Sequence, residues 1–291
     1  MQESISLLAR DGVRIAATWY IADHSTEKVV LLNSATGVKQ SYYRDFATYL
    51  VRHGYNVYTF DYRGIGESRI DDIEYLQSDM KDWAKDIDAM IAHITKVHHQ
   101  AKLVIIGHSV GGQLIGMSRL AGYADVLLMI GAQTPYWKNF NGFRNRMKLL
   151  FLWYFVIPVF TKIFGYFPAS KFGLFEDLPG NVALQWARWA KSARYVFEEH
   201  PEVKATFDLL DQRTLFISMA DDEIAPHKAV MDLKQYYSRV RSEHWHIHPE
   251  DIVLKKIGHF GFFRRHMEMV LWNDTVRWIE RSLPMQKYKA A

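Results

Sequence analysis

Apolar and polar positions follow three rhythms along this chain, and each rhythm predicts a different element. Ser4 to Leu8 and Val13 to Tyr20 alternate around Asp11-Gly12, which predicts a hairpin with a tight Asp-Gly turn. Short unbroken apolar runs predict strands buried on both faces: Val29 to Leu32, Tyr55 to Phe60, Leu103 to Ile106, Val126 to Ile130 and Leu215 to Ser218. Ile252 to Ile257 reads as the last strand. Helical spacing places Phe46, Tyr49 and Leu50 on one face of Asp45 to Arg52, stopped by Gly54. It also places Trp83, Ile87, Met90, Ile91 and Ile94 on one face of Met80 to Val97. Strands that alternate with helices imply an α/β fold with a mainly parallel sheet.

Between Val126 to Ile130 and Leu215 to Ser218 the alternation stops. Residues 134–200 hold 18 aromatic residues in 67, against 24 in the other 224. The same segment carries nine Lys or Arg and four Asp or Glu, a balance of +5, while the rest of the chain is near −1. This shift marks an inserted helical cap. The expected division is a core of residues 1–133 and 208–291 around a cap of 134–207, over the C-terminal sheet edge where open α/β folds bind ligands.

Within the cap, Arg144-Asn145-Arg146-Met147-Lys148 precedes twelve apolar residues, Leu149 to Phe160, with Lys162 beyond. Twelve residues are too few to span a bilayer, which takes ~20. Pro158 is expected to break a regular helix there. Basic flanks on a Trp- and Phe-rich stretch suit peripheral membrane contact, and they also suit a buried cap helix with solvated ends.

Composition narrows the chemistry. The chain has no cysteine, which removes disulfides, thiolate metal sites and cysteine nucleophiles together. A net charge of +4 in 291 residues, with no finger, phosphate loop or aromatic nucleic-acid motif, gives no reason to expect a nucleic-acid partner. Met1 to Ser6 lacks the basic and apolar regions of a signal peptide, so a cytoplasmic location is expected.

One motif carries reaction chemistry. Gly107-His108-Ser109-Val110-Gly111 follows the run Leu103 to Ile106 and leads into Gly112 to Met117. A serine on a sharp strand-to-helix turn has its hydroxyl lifted clear of the sheet, and the next amides face any negative charge that develops there. A serine hydroxyl is a weak nucleophile until a base takes its proton, and that base, usually His, needs a carboxylate to orient it. After Ser109, acids come in Asp221-Asp222-Glu223 behind a predicted strand, and Gly258-His259 follows the predicted last strand.

The chain resembles the α/β-hydrolase superfamily, in its monoacylglycerol-lipase-like branch. The resemblance rests on Asp61 to Ser68, the Ser109 turn, Asp222 to Pro226 and Gly258-His259, and it is weak across the cap. It implies Ser109 as nucleophile, His259 as base and Asp222 as acid, with Asp221 and Glu223 as rivals. It implies an oxyanion hole of backbone amides from Val110 and from the loop Asn33 to Gly37, where Thr36 is the first choice and Ala35 the next. The Asp61 to Ser68 loop, with its glycines and Arg63, reads as a structural turn. His108 reads as local packing. His244, His246 and His248 read as one exposed strand face; no carboxylate at a suitable spacing accompanies them, so no metal is expected. No cofactor is expected either.

The expected activity is therefore serine hydrolysis of carboxylic esters with apolar acyl or aryl groups, through an acyl-enzyme. Thioesterase, acyltransferase and peptidase chemistry use the same triad, and a non-catalytic binder is the alternative of another class. The expected partner is a small apolar ester. Trp137, Phe140, Phe151, Trp153 and Phe155 are the expected apolar lining in the cap.

Overall fold

A computed structural model describes residues 1–24, 27–69 and 72–284. The hairpin comes first: β1 (Gln2–Leu8) pairs antiparallel with β2 (Arg14–Tyr20), and Gly12 turns the chain at φ 82°. The strands β3 (Lys28–Asn33), β4 (Asn56–Phe60), β5 (Lys102–His108) and β6 (Val126–Ile130) follow. A short antiparallel ribbon, β7 (Tyr166–Phe167) and β8 (Leu178–Pro179), lies in the cap. The core resumes with β9 (Arg213–Met219) and β10 (Arg241–Ile247). Among the described residues eight strands form one sheet in the order β1-β2-β4-β3-β5-β6-β9-β10. From β4 to β10 every pairing is parallel.

Each central strand is an apolar run because both of its faces are covered. All five residues of β6 are fully buried. One layer packs α1 (Arg44–Arg52) and α10 (Asn273–Ser282) on the sheet through Phe46, Leu50, Trp278 and Ile279. The opposite layer packs α2 (Met80–Val97), α3 (Val110–Ile115) and α8 (His227–Tyr236) through Trp83, Ile87, Leu114 and Val230. The start of α2 is fixed by a reciprocal cap: Asp79 accepts from the amides of Lys81 and Asp82, and Asp82 accepts from the amide of Asp79. Such a cap is worth about 1 kcal/mol.

The cap enters between β6 and β9. Its first long helix runs without a gap through α4 (Phe143–Phe151), a π-turn at Leu152–Val156 and α5 (Ile157–Phe164). Pro158 does not break it. The wider π-turn just before the proline has already changed the hydrogen-bond register, and Pro158 sits in the first turn of α5, where a missing N–H costs little. The cap continues through α6 (Gly180–Lys191) and α7 (Lys204–Phe207).

The stretch Ile252 to Ile257 is not a strand. A 3-10 turn covers Pro249–Ile252 and irregular chain follows, leading to the short α9 (Gly258–Gly261). The last strand is β10, and it contains His244 and His246. The alternating His244 and His246, expected on a strand face, belong to this edge strand, which pairs with buried β9.

Candidate active site

Ser109 stands between β5 and α3 with φ 53° and ψ −119°, a backbone that L residues rarely adopt. Strain of this kind costs about 1–3 kcal/mol and persists only where the surroundings hold it. Here the glycines of the motif supply the room. A Cβ on Gly107 would collide with the Cα of Gly112, and a Cβ on Gly111 would collide with the carbonyl of Asn33. The Gly-x-Ser-x-Gly spacing thus lets three backbone segments touch, and the amide of Ser109 donates to the carbonyl of Ile130 at 3.0 Å.

His259, in α9, and Asp222, just past β9, lie beside that turn. His259 Nδ1 is 2.8 Å from Asp222 Oδ2, and both side chains are buried. The other carboxylate oxygen of Asp222 accepts from the amides of Ile224 and Ala225, each at 2.8 Å, which aims the carboxylate. Gly131 follows β6 at φ 57°, and its missing side chain leaves the space that His259 and Asp222 occupy. Asp221 does different work. It accepts from the amides of Ile257 at 2.8 Å and Gly258 at 3.0 Å, so it anchors the turn that presents His259. Glu223 is exposed and makes no contact with His259 among the described bonds.

The oxyanion-side loop is equally defined. Val110 opens α3 immediately after Ser109. The amide of Ala35 donates to Tyr43 Oη at 2.8 Å, so it is spent, and Thr36 is the next amide along a buried loop. Tyr43 Oη lies 2.9 Å from His108 Nδ1, and His108 Nε2 lies 3.0 Å from the carbonyl of His259. A carbonyl can only accept, so His108 carries its proton on Nε2 and its Nδ1 accepts from Tyr43. Burial holds His108 well below its ordinary value, so it is neutral. His108 is therefore more than packing: it ties the oxyanion-side loop to the backbone of His259 through a satisfied chain. The signal available in the sequence was a histidine adjoining the serine, with a tyrosine eight residues past Ala35.

The Asp61 to Ser68 loop is held by ion pairs away from the serine. Buried Arg63 pairs with Asp86 at 2.6 Å and with Asp11 at 2.7 Å.

The cap residues divide. A cleft of about 460 Å³ opens between Gly37, next to Thr36, and Phe260, next to His259, and is lined by Val38, Tyr42, Leu174 and Phe175 with the ion pair Lys39–Glu176 at 3.1 Å. None of the five expected lining residues borders this cleft. Phe151 and Phe155 stack on each other at 5.8 Å on the outer face of the cap, 61% and 60% exposed. Trp153 turns the other way, into the cap's own core against Trp186. Phe140 is buried and Trp137 half-buried beside Lys138. Tyr42, Leu174, Phe175 and Phe260 were missed because they come from three separate segments with no shared periodicity.

Comparison with known proteins agrees with this architecture. A family model described as serine aminopeptidase, S33, matches residues 24–150, which include Thr36 and Ser109 and stop short of Asp222 and His259. The uncharacterized protein YfhR of Escherichia coli K12 is 27% identical over 136 residues, 43% of this chain and 46% of that protein. The chain thus matches about half the length of this curated relative. Among solved structures, an esterase of Pyrococcus furiosus has a TM-score of 0.64 at 12% identity, covering 98% of this chain and 92% of its own. An esterase of Exiguobacterium antarcticum has 0.63 at 17% identity, covering 96% and 100%. Est1E of Butyrivibrio proteoclasticus, solved with ferulic acid, has 0.63 at 14%, covering 96% and 98%.

Proposed function

We propose that this chain is a serine hydrolase of the α/β-hydrolase superfamily that acts on carboxylic esters with apolar acyl or aryl groups. The observation that carries the reading is the buried Asp222–His259 pair, 2.8 Å apart, beside a strained serine turn. His259 takes the proton of Ser109 Oγ, and the oxygen attacks the ester carbonyl. The carbonyl oxygen becomes an oxyanion that accepts from the amides of Val110 and Thr36. The alcohol leaves with the proton from His259. Water, deprotonated by the same ring, then splits the acyl-enzyme and frees Ser109. Asp222 holds the imidazole in the tautomer that this sequence needs.

Val38, Tyr42, Leu174, Phe175 and Phe260 favour an apolar group in the cleft. An aminopeptidase would need a free carboxylate to hold the substrate's ammonium group. The cleft's acid, Glu176, is already paired with Lys39, which favours the ester reading. The test is a p-nitrophenyl ester series from acetate to decanoate together with a fluorophosphonate probe. The probe should label Ser109, and kcat/KM should climb by nearly fourfold per buried methylene, at ~0.8 kcal/mol each. Labelling elsewhere, or turnover of aminoacyl amides with none of the esters, overturns it.

We also propose that the cap rests on an anionic membrane surface. The helix Phe143–Phe164 has 22 residues, about 33 Å at the usual rise. Trp153, Ile157 and Thr161 bury one side in the cap, while Phe143, Met147, Phe151, Phe155, Val159 and Ile163 form an exposed stripe at four-residue spacing. A continuous stripe of exposed large apolar side chains calls for an apolar medium on that face. Exposed Arg144, Lys148 and Lys162 flank the stripe and suit anionic headgroups. The buried side anchors the helix along its length, so it lies in the interface. Co-sedimentation with vesicles containing anionic lipid at low salt should recover the protein, and high salt should release it. Protein left in the supernatant at low salt, or dimer formation that buries the stripe, overturns this reading.

A further inference from the structure

Three histidines converge on one point away from the proposed triad. His244 and His246 lie on the same face of the edge strand β10, and His227 opens α8 above them. One ring nitrogen from each lies within 4.8 Å of the others. The rings of His227 and His246 have centroids 4.5 Å apart, and those of His227 and His244 are 5.2 Å apart. Beneath them the buried Ser218 places its Oγ 2.9 Å from His244 Nε2 and 2.8 Å from His246 Nδ1. One hydroxyl donates to one ring and accepts from the other, so it fixes both rings in place and leaves the second nitrogen of each ring clear of Ser218.

We infer that His227, His244 and His246 form a binding site for a zinc-type transition-metal dication, which clamps the edge strand to the first turn of α8. Three imidazoles suit such an ion, and the fourth position is left for water. With bonds of about 2.1 Å, tetrahedral nitrogens sit roughly 3.4 Å apart, so rotations of exposed His227 and half-buried His244 and His246 close the set. The ring that donates to Ser218 has its other nitrogen free to ligate, and the ring that accepts moves its proton to the nitrogen facing Ser218 as the hydroxyl turns its own proton away. Lys234 is the neighbouring charge that opposes the ion. Without a thiolate or carboxylate in the set, affinity falls below that of structural thiolate sites.

The position gives the site a consequence. Ser218 and His227 stand on either side of residues 219–226, the segment that carries Asp222. An ion there braces that segment from outside while touching none of the proposed reacting groups. Sequence reading had the strip of His244, His246 and His248 as exposed. The strip instead faces the start of α8, and the third ligand comes from 17 residues upstream in the chain.

The test is calorimetric titration of the full chain, free of any polyhistidine tag, with Zn²⁺ at neutral pH. One ion per chain should bind, and the melting temperature should rise with Zn²⁺ concentration. Each of His227→Gln, His244→Gln and His246→Gln should weaken binding by at least about tenfold. His248→Gln, whose ring stacks outside the set at 5.0 Å from His246, should bind as the wild type does. For the wild type itself, one equivalent of Zn²⁺ should shift the NMR resonances of these three rings and spare His259. No binding, unchanged binding in the three variants, or shifts centred on His259 would overturn the site.

Discussion

The serine turn and the long cap helix make opposite use of the same chain. Around Ser109, polar atoms hold one another in place: Asp222 has three partners, Asp221 holds two amides, and His108 spends both ring nitrogens. Along Phe143–Phe164 almost nothing polar is assigned, and large apolar side chains face outward. Hydrogen bonds and a forced φ specify individual residues, because each tolerates few alternatives. Apolar contact specifies only a composition, because one aromatic ring substitutes for another. Single changes in the first region should therefore be costly, and single changes in the second should be mild.

The largest expected effect is at Ser109. Ser109→Ala should reduce ester turnover by about 10⁴-fold or more with the fold intact, read by kcat and circular dichroism. Retention of wild-type turnover would remove the serine turn from the comparison altogether. Next is Asp222→Asn, for which a loss of about 10⁴-fold in kcat is expected with the orienting carboxylate gone. His108→Phe comes third. It leaves the Tyr43 hydroxyl without its acceptor and the carbonyl of His259 without its imidazole donor, at a cost of about 1–3 kcal/mol in stability. Denaturant unfolding measures that cost, and an unchanged midpoint would return His108 to simple packing.

Asp221→Asn sharpens the contrast between neighbours. It should lower the melting temperature through the amides of Ile257 and Gly258 and leave kcat far closer to wild type than Asp222→Asn does. The reverse ranking would exchange the two carboxylates. The smallest effect is expected in the cap. Phe151→Ser with Phe155→Ser should leave hydrolysis of a water-soluble ester within about twofold, since both rings are turned away from the cleft, while vesicle co-sedimentation drops. Removal of exposed side chains is close to neutral for stability. A large loss on the soluble ester would put these rings back in the substrate path.

The same contrast explains what the sequence made legible. The ends of α2 and β6 are visible in the spacing of apolar residues, because capping and burial act locally. Ser109 and His259 stand out in the sequence through the glycines beside them, while Asp222 is separated from Asp221 and Glu223 there only by the resemblance. In β10 the alternating histidines are visible as a strand face, but that the face meets α8 in place of solvent is not. The cleft is not visible because Tyr42, Phe175 and Phe260 converge only through tertiary contact. Phe151 and Trp153 face opposite ways, as positions two apart in a helix do, and which of them meets the cap's core is decided by tertiary packing against Trp186.

One bond has a kinetic meaning. The amide of Glu176, in the cap, donates to the carbonyl of Gly37 at 3.0 Å, and Phe175 fills the space where Gly37 has no side chain. Gly37 directly follows Thr36, so the mouth of the cleft and the proposed oxyanion donor share one peptide junction. Thermodynamically the two are a single unit: a displacement of the cap rim is also a displacement of the Thr36 amide. Variants of Phe175 should therefore shift apparent affinity and maximal velocity in step, and a specificity change engineered at this rim will carry a turnover change with it.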